Sequence, residues 1–125
     1  MIFGTGLDII EIKRIKSSIG RFSGKFEERI FTADEIAYCR ARSNPFPHFA
    51  GRFAAKEAVM KSLGTGMAEG IRWKDMEVLS LESGKPELKL TGKSKDLADS
   101  KNIKHIHISI SHDRIYAVAH AIAES

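Results

Sequence analysis

The first twenty residues change their apolar spacing once, from a nearly continuous run to a helical repeat. The run 2–10 is mostly apolar apart from Asp8, with glycines at 4 and 6, and predicts a short strand that another element approaches closely. The repeat that follows predicts a first helix with one apolar and one basic face. Its apolar positions are Ile9, Ile12, Ile15 and Ile19. Its basic positions are Lys13, Arg14, Lys16, Arg21 and Lys25.

Two short helices are predicted next. One covers 24–30, and another begins after Thr32, because a threonine followed by Glu35 at the third position is a capping-box pattern. This helix should fade near Arg42, where the proline-rich turn 43–47 begins.

The strongest helix of the chain is predicted at 48–63. It is rich in good helix formers, contains no internal proline and ends at Gly64. The second half then switches toward strands, with a turn at 82–86 that indicates a hairpin. The expected strands are 73–81, 87–90, 105–111 and 116–122, and a polar helix is expected at 93–100. Helices precede strands, which predicts an α+β class with N-terminal helices packed on a small antiparallel sheet.

Composition limits the class of protein. With 125 residues, one domain over 1–125 is expected. No apolar run approaches the ~20 residues of a membrane span, and we expect neither a signal peptide nor membrane association. The single Cys39 has no intramolecular disulfide partner, which favours a cytoplasmic location and a buried or half-buried structural role. The net charge of +4 indicates an anionic partner.

Asp8 is the first candidate functional residue along the chain. A carboxylate inside an apolar segment needs a cation, hydrogen bonds or solvent. Mg²⁺ would meet this need, since it takes oxygen ligands from one or two carboxylates and completes its shell with phosphates and water. The alternative is that Asp8 caps the first helix.

The helix 48–63 presents a second group of charged residues. Glu57 and Lys61 share a face with Phe53, and Arg52 and Lys56 form an adjacent stripe. The structural alternative is an exposed Glu57–Lys61 pair. The functional hypothesis makes Glu57 a second Mg²⁺ ligand and the basic residues contacts of a phosphate-rich ligand.

Three other motifs are weaker indications of a functional site. Gly64-Thr65-Gly66 approaches a nucleotide or simply terminates the helix. His105 and His107 alternate on a strand, which favours a partly exposed face over a zinc site. Ser111-His112-Asp113 lies on a turn, where consecutive residues do not form a catalytic triad but are able to contact a phosphate.

The order of several motifs resembles the holo-acyl-carrier-protein synthases, the small bacterial type of 4′-phosphopantetheinyl transferase. The resemblance covers essentially the whole chain, and its most specific part is the run from Arg52 to Ala58. The matching motifs are Gly6-Leu7-Asp8 with Arg14-Ile15, Phe31-Thr32 with Glu35, Gly51 to Ala58 with Lys61, Gly84-Lys85-Pro86, and Ser109 to Asp113 with Ala117.

The resemblance implies transfer of 4′-phosphopantetheine from coenzyme A to a serine of apo acyl carrier protein, in fatty acid biosynthesis. Adenosine 3′,5′-bisphosphate would be released, and catalysis would rest on positioning and charge neutralisation. By this resemblance Asp8 and Glu57 hold Mg²⁺, and Lys61 steadies the diphosphate. The larger transferases place a third acidic ligand at the position that is Ile10 here, so water would complete the metal shell.

The resemblance also implies the remaining contacts. The residues expected to cradle the adenine and ribose phosphates are Arg52, Gly64, Thr65, Gly66, Gly84, Lys85, Pro86, Ser111 and His112. Arg14 and Arg21 are expected to bind the acidic carrier protein. Glu57, Asp113 or a metal-bound water would deprotonate its serine, and of these the water is favoured. Small members are homotrimers, so Asp8 and Glu57 of one chain would work with His112 of the next.

Two other classes of function compete with this hypothesis. A basic nucleic-acid-binding module would explain the charge, but no aromatic residues alternate with basic ones to form a stacking platform. A Mg²⁺-dependent phosphatase or nuclease would use the same two carboxylates. Hydrolysis of coenzyme A without carrier protein distinguishes it from a transferase.

Overall fold

The computed structural model describes residues 1–67 and 70–125. The N-terminal half contains strand β1 (Ile2–Glu11) and helices α1 (Ile12–Arg21), α2 (Lys25–Ile30), α3 (Ala33–Arg40) and α4 (Phe46–Leu63). After a 3₁₀ turn at Trp73–Asp75, the C-terminal half contains β2 (Met76–Ser80), β3 (Pro86–Leu90), α5 (Gly92–Ser100), β4 (His105–His112) and β5 (Tyr116–Glu124). The predicted order of helices and strands is confirmed.

Two separate antiparallel sheets are present in the described part of the chain. The order β1-β5-β4 makes a three-stranded sheet, and β2 pairs with β3 in the predicted hairpin. Helix α4 packs across one face of the three-stranded sheet. The β5 residues that are buried on this side are Ala117, Ala119, Ala121 and Ala123. Their small side chains let the helix lie close to the strand backbone.

The glycines of β1 permit an even closer approach. A Cβ atom at Gly6 would clash with the carbonyl oxygen of Ala58, and one at Gly4 would clash with that of Ser62. Because both oxygens belong to the backbone of α4, side-chain adjustment does not relieve these clashes. The predicted close approach at 2–10 is therefore confirmed, and its result is to place β1 directly against the helix that carries Glu57.

The boundary between the first strand and helix differs from the prediction. Strand pairing continues past Asp8, which lies opposite Ala119, to Glu11, which lies opposite Tyr116. Helix α1 therefore begins at Ile12, and the proposal that Asp8 caps it is wrong. Ile9 belongs to the strand and is 63% exposed. Hydrogen bonding to β5 outweighs the helical spacing at this boundary, and strand alternation sends Asp8 and Ile9 to opposite faces.

The capping box predicted at the start of α3 is present, and it extends into the core. Thr32 and Glu35 cap each other reciprocally. The Glu35 carboxylate also accepts from the Lys56 ammonium at 2.7 Å and from the Val78 amide at 2.9 Å. Lys56 further donates to the carbonyl oxygens of Ile30 and Trp73, at 2.8 and 3.2 Å. The network joins α3, α4 and β2.

This network corrects the expectation that Lys56 faces a phosphate-rich ligand. The side chains of Lys56 and Glu35 are both fully buried, and all three ammonium donors of Lys56 are used. Burial lowers the pKa of Lys56, and the adjacent Glu35 carboxylate opposes that shift. The lysine is a structural part of the core.

Two further expectations concern the single cysteine and membrane-spanning helices. Cys39 is buried as predicted, and its burial raises the pKa of the thiol to about 11. In the described part of the chain, no helix combines the length and the apolar character that a bilayer crossing requires.

Candidate functional site

Two carboxylates and one ammonium group meet where β1 packs on α4. Asp8 projects from β1 with 18% of its side chain exposed, and its Oδ1 lies 3.2 Å from Nζ of Lys61. The same ammonium donates to the carbonyl oxygen of Leu7 at 2.8 Å. Glu57 lies half-buried one helical turn before Lys61. We call Asp8, Glu57 and Lys61 the carboxylate cluster.

The electrostatics of the cluster indicate that its two carboxylates repel each other. The pKa of Glu57 is raised, first by burial and then by the negative charge of Asp8, and Lys61 opposes the shift. The exposed pair expected between Glu57 and Lys61 is not among the ion pairs of the described residues, because Lys61 instead bonds Asp8. Two partly buried carboxylates next to one exposed ammonium group form a place where an added cation is favoured.

The donor set of the cluster fits Mg²⁺. Mg²⁺ prefers oxygen ligands and is commonly held by only one or two carboxylates, the remainder of its shell being water and substrate phosphate. Within 1–67 and 70–125, no group of three or more metal-ligating side chains occurs, so the protein itself supplies an incomplete shell. Ile10, two residues after Asp8, has no metal-binding side chain and packs against both hydrophobic clusters of the core.

The predicted glycine loop begins immediately after Lys61. Gly64 has a φ of 77° and ends α4, with its amide bonded to the carbonyl oxygens of Lys61 and Met60. Helix termination, one of the two interpretations of Gly64-Thr65-Gly66, is therefore confirmed. Thr65 is half-buried and Gly66 is exposed, which leaves this loop accessible beside the carboxylate cluster.

A second group of residues surrounds the ring of Tyr38. The guanidinium carbons of Arg42 and Arg52 lie 4.4 and 4.2 Å from the ring centroid. The ring of His48 lies 6.0 Å from the same ring, and the ring of His112 lies 5.7 Å from His48. We call these five residues the basic cluster.

Arg52 is the buried member of the basic cluster. It is 5% exposed and donates to the Ser80 hydroxyl at 2.8 Å, and its Nε has no hydrogen-bond partner among the described residues. Because Ser80 precedes the β2–β3 turn, this contact brings the predicted Gly84-Lys85-Pro86 segment toward the same end of the fold.

The two clusters occupy different sides of α4. Arg52 and Glu57 are five positions apart, which is a rotation of about 140° around the helix axis. Ser111 and His112 lie exposed at the end of β4, where His112 contacts His48 of the basic cluster. Within one chain, the predicted metal ligands and the predicted phosphate contacts around Arg52 and His112 therefore form two separate sites.

Asp113 is engaged in local structure. Its Oδ1 accepts from the amides of Ile115 and Tyr116, each at 2.7 Å, and so holds the β4–β5 turn. These backbone bonds hold the pKa of Asp113 below its usual value. An acceptor committed in this way is a weak base.

The basic face of α1 is exposed as predicted. Ile12, Ile15 and Ile19 are buried, whereas Arg14 and Arg21 lie on the solvent side. The aromatic rings of Phe26, Phe53 and Trp73 pack against the core cluster that contains the buried isoleucines of α1, and they stack in a row at centroid distances of 6.3 and 5.3 Å. Phe53 is one helical turn from Glu57, so the row reaches the carboxylate cluster.

A family model described as the 4′-phosphopantetheinyl transferase superfamily matches residues 4–120. The chain belongs to this superfamily. This phosphopantetheinyl transferase is 47% identical over 125 residues to the holo-(acyl-carrier-protein) synthase of Solibacter usitatus strain Ellin6076, and the match covers 100% of both chains.

Solved structures agree with this assignment. The holo-(acyl-carrier-protein) synthase of Neisseria meningitidis has a TM-score of 0.92 at 30% identity, with 100% of each chain covered. The Helicobacter pylori synthase in complex with coenzyme A has a TM-score of 0.85 at 32% identity, covering 96% of this transferase and 99% of that chain. The predicted α+β fold is thereby confirmed.

Sequence reasoning missed three members of the basic cluster. Tyr38 lies in the last turn of α3, Arg42 lies two residues after that helix ends, and His48 lies in the first turn of α4. No local spacing connects them, because the turn that separates α3 from α4 brings them together only after both helices pack. The proline-rich segment 43–47 was the available indication of such a reversal.

Proposed function

We propose that this transferase moves 4′-phosphopantetheine from coenzyme A to a serine hydroxyl of an apo acyl carrier protein. The carboxylate cluster carries this proposal, because Asp8, Glu57 and Lys61 bring two partly buried carboxylates and an exposed ammonium group together on a chain of this family. The coenzyme A complex of the related Helicobacter pylori synthase supports the choice of donor.

In this reaction the serine oxygen forms a bond to the phosphorus next to the pantetheine arm. The bond from that phosphorus to the bridging oxygen breaks, and adenosine 3′,5′-bisphosphate leaves. The serine proton passes to a base, which we assign to the carboxylate cluster, since Asp113 already holds the β4–β5 turn. Lys61 contacts the diphosphate and opposes its developing negative charge.

Asp8 and Glu57 would hold Mg²⁺. When bound, this ion would neutralise the diphosphate and polarise its phosphoryl oxygens. Lys61 has the freedom to turn from Asp8 toward the substrate, since half of its side chain is exposed. Gly64, Thr65 and Gly66 would contact the nucleotide beside it.

We assign the carrier protein to the basic face of α1 and the aromatic row. Arg14 and Arg21 supply the positive charge for an acidic partner, and Phe26 and Phe53 offer an apolar surface that leads to Glu57. Reversing the charge, by Arg14→Glu or Arg21→Glu, should raise the KM for carrier protein and leave the KM for coenzyme A unchanged. Equal changes in both constants would contradict this assignment.

We further propose that three chains assemble through the open face of the three-stranded sheet. Leu7 and Ile9 are 60% and 63% exposed there, directly beside Asp8 along β1. A hollow of about 520 Å³ on this face is lined by Leu7, Val118 and His120. Burying these residues against a neighbour is favourable, and it would bring the neighbour's residues close to Asp8.

An active site shared between chains explains why the two clusters are separate. The carboxylate cluster of one chain would face the basic cluster of the next, with Lys85, Pro86 and Ser111 beside it. Each cluster then contacts a different part of coenzyme A. In this arrangement Arg52 and His112 act on the nucleotide, and the phosphorus under attack lies beside Glu57 of the adjacent chain.

The reaction is tested by incubating the protein with apo carrier protein, coenzyme A and Mg²⁺ and weighing the intact carrier. We expect the carrier to gain one phosphopantetheine arm, and replacing its acceptor serine by alanine should abolish the gain. A reaction without carrier protein tests for hydrolysis of coenzyme A. Hydrolysis without any mass gain of the carrier would favour a phosphatase and overturn the proposal.

The shared site is tested by complementation. Glu57→Gln removes a charge from the carboxylate cluster, and His112→Ala removes an imidazole from the basic cluster. Each variant alone should therefore have little activity. Unfolding and refolding them together forms mixed trimers, in which about a quarter of the sites combine two intact clusters. Recovery of activity in the mixture, with the trimer confirmed by light scattering, is expected. A mixture no more active than its components would place both clusters in one chain.

A further inference from the structure

His120 lies in the middle of the open face of the three-stranded sheet. The side chains of β5 alternate between the two faces, and its alanines are the ones that are buried against α4. His120 therefore projects to the open side, where it is exposed. In the strand register it lies between Leu7 of β1 and Ser109 of β4, and all three residues line the hollow of about 520 Å³. A histidine thus occupies the centre of a largely apolar face.

The immediate surroundings of His120 contain no charge. On the same face, its neighbours along β5 are Val118 and Ile122, and its neighbours across the strands are Leu7 and Ser109. Within 1–67 and 70–125, its imidazole takes part in no hydrogen bond or ion pair. The other titratable groups that alternation places on this face lie nearer its ends, and they are Glu11 from β1, His105 and His107 from β4, and Tyr116 and Glu124 from β5.

His107 differs from His120 because it has a carboxylate partner. Its Nε2 lies 3.1 Å from Oε1 of Glu124, and both side chains are about half exposed. The hydrogen bond from His107 holds the pKa of Glu124 below its usual value, so this carboxylate stays charged. A proton on His107 is therefore compensated locally, whereas a proton on His120 has no adjacent counter-charge.

We propose that His120 makes the assembly of the chains sensitive to pH, so that protonation of its imidazole separates the trimer and takes the shared active site apart. This inference rests on the proposed trimer. A neutral imidazole has one donor and one acceptor and is buried at low cost when a hydroxyl such as that of Ser109 bonds it. A buried imidazolium is costly without a carboxylate beside it.

The direction of the effect follows from counting protons. In a separate chain, water solvates the charged form of His120, whereas the apolar surface of a neighbouring chain disfavours that form. The separate chains therefore bind more protons than the trimer does, and lowering the pH favours them. Because a trimer contains three copies of His120, up to three protons are taken up on dissociation. The dissociation constant should accordingly rise by up to about 10³-fold for each unit that the pH falls through the range in which histidine titrates.

Sedimentation velocity of the full chain, at one micromolar-range concentration and from about pH 8 to pH 5, tests this proposal. We expect a trimer at the upper limit and separate chains at the lower one. An unchanged far-ultraviolet circular dichroism spectrum should show that the separate chains remain folded. His120→Gln keeps a donor and an acceptor but does not titrate, so it should stay trimeric throughout. His120→Lys adds a permanent charge and should be dissociated even at the upper limit.

His107→Gln is the matched control, since it removes a histidine of the same face that is paired with Glu124. It should dissociate over the same pH range as the wild type. Transfer activity should fall together with the trimer in acid, and at one acidic pH a higher protein concentration should restore the specific activity by mass action. Titration of a catalytic base would not produce this dependence on concentration.

A wild-type trimer that persists over the whole range would overturn the proposal, and so would a His120→Gln protein that dissociates in acid as the wild type does. Sedimentation requires no turnover and therefore separates this proposal from the proposed reaction. Absence of carrier modification together with acid-dependent dissociation would overturn the reaction alone. Separate wild-type chains at the upper pH limit would overturn the proposed trimer, and this inference with it.

Discussion

Two ion pairs on α4, whose lysines lie five residues apart, have opposite properties. Lys56 and Glu35 are fully buried, and Lys56 uses every donor within the protein. Lys61 and Asp8 are 52% and 18% exposed, their contact is longer at 3.2 Å, and the second carboxylate of Glu57 lies beside them. The first pair is closed to any ligand, whereas the second is open and electrostatically unbalanced.

The position of a charged residue on a helix does not reveal its role. The sequence does not distinguish Lys56 from Lys61, and it predicts both as contacts of a phosphate-rich ligand. A buried, fully bonded pair holds helices and strands in one arrangement. An exposed pair contributes little stability and remains available for binding. Three predictions test this division and a fourth tests a carboxylate outside both pairs, ordered by the size of the expected effect.

The largest effect is expected from removing a carboxylate of the open site. Asp8→Asn or Glu57→Gln should lower kcat/KM for transfer about 10³-fold, because each variant loses a charge that holds the metal. Both variants should retain the wild-type melting temperature, measured by circular dichroism. Loss of folding together with activity would mean that the open pair is structural after all.

Next comes the removal of the buried lysine. Lys56→Met leaves the Glu35 carboxylate buried without its counter-ion and should cost about 3–5 kcal/mol of unfolding free energy. Urea denaturation measures this loss. The double variant Glu35→Gln/Lys56→Met should regain part of it, because the uncompensated charge is gone. A stable but inactive Lys56→Met protein would contradict the division of roles.

A smaller effect is expected from the exposed lysine. Lys61→Gln should reduce kcat about 10- to 100-fold by removing positive charge from the diphosphate, and Lys61→Arg should recover part of the activity. The unfolding free energy should change by less than about 1 kcal/mol, since the side chain is half exposed. Steady-state kinetics and urea denaturation of the same samples provide the two values. A stability loss as large as that of Lys56→Met would remove the contrast between the pairs.

The smallest effect concerns Asp113, a carboxylate that belongs to neither pair. Its native pKa lies below the usual 3.8, so its stabilising bonds are present above that value and are lost as pH falls through the lowered native pKa. Asp113→Asn should therefore melt slightly below wild type at neutral pH, and the difference should vanish in acid. Melting curves over this pH range test it, and transfer activity at neutral pH should be nearly unchanged. A large loss of activity would restore Asp113 as a candidate base.

Much of the fold was predictable from local patterns. The isoleucine spacing of α1, the capping box at Thr32 and the glycine after α4 each specify structure within a few residues, and each prediction is confirmed. The failure at Asp8 has a physical reason. Whether residues 8–11 continue a strand or begin a helix depends on pairing with β5, more than a hundred positions away along the chain.

The sequence by itself determined the order of the elements, the family, and the choice of Asp8 and Glu57 as candidate metal ligands. These depend on local periodicity and on motifs that are contiguous in the sequence. Only the tertiary structure decided which lysine is buried, that Lys61 pairs with Asp8, and that Tyr38, Arg42 and His48 surround Arg52. Burial and long-range contacts follow from how β1 and α3 pack on α4. That packing sets the free energy of each charge, and no short segment of the chain contains it.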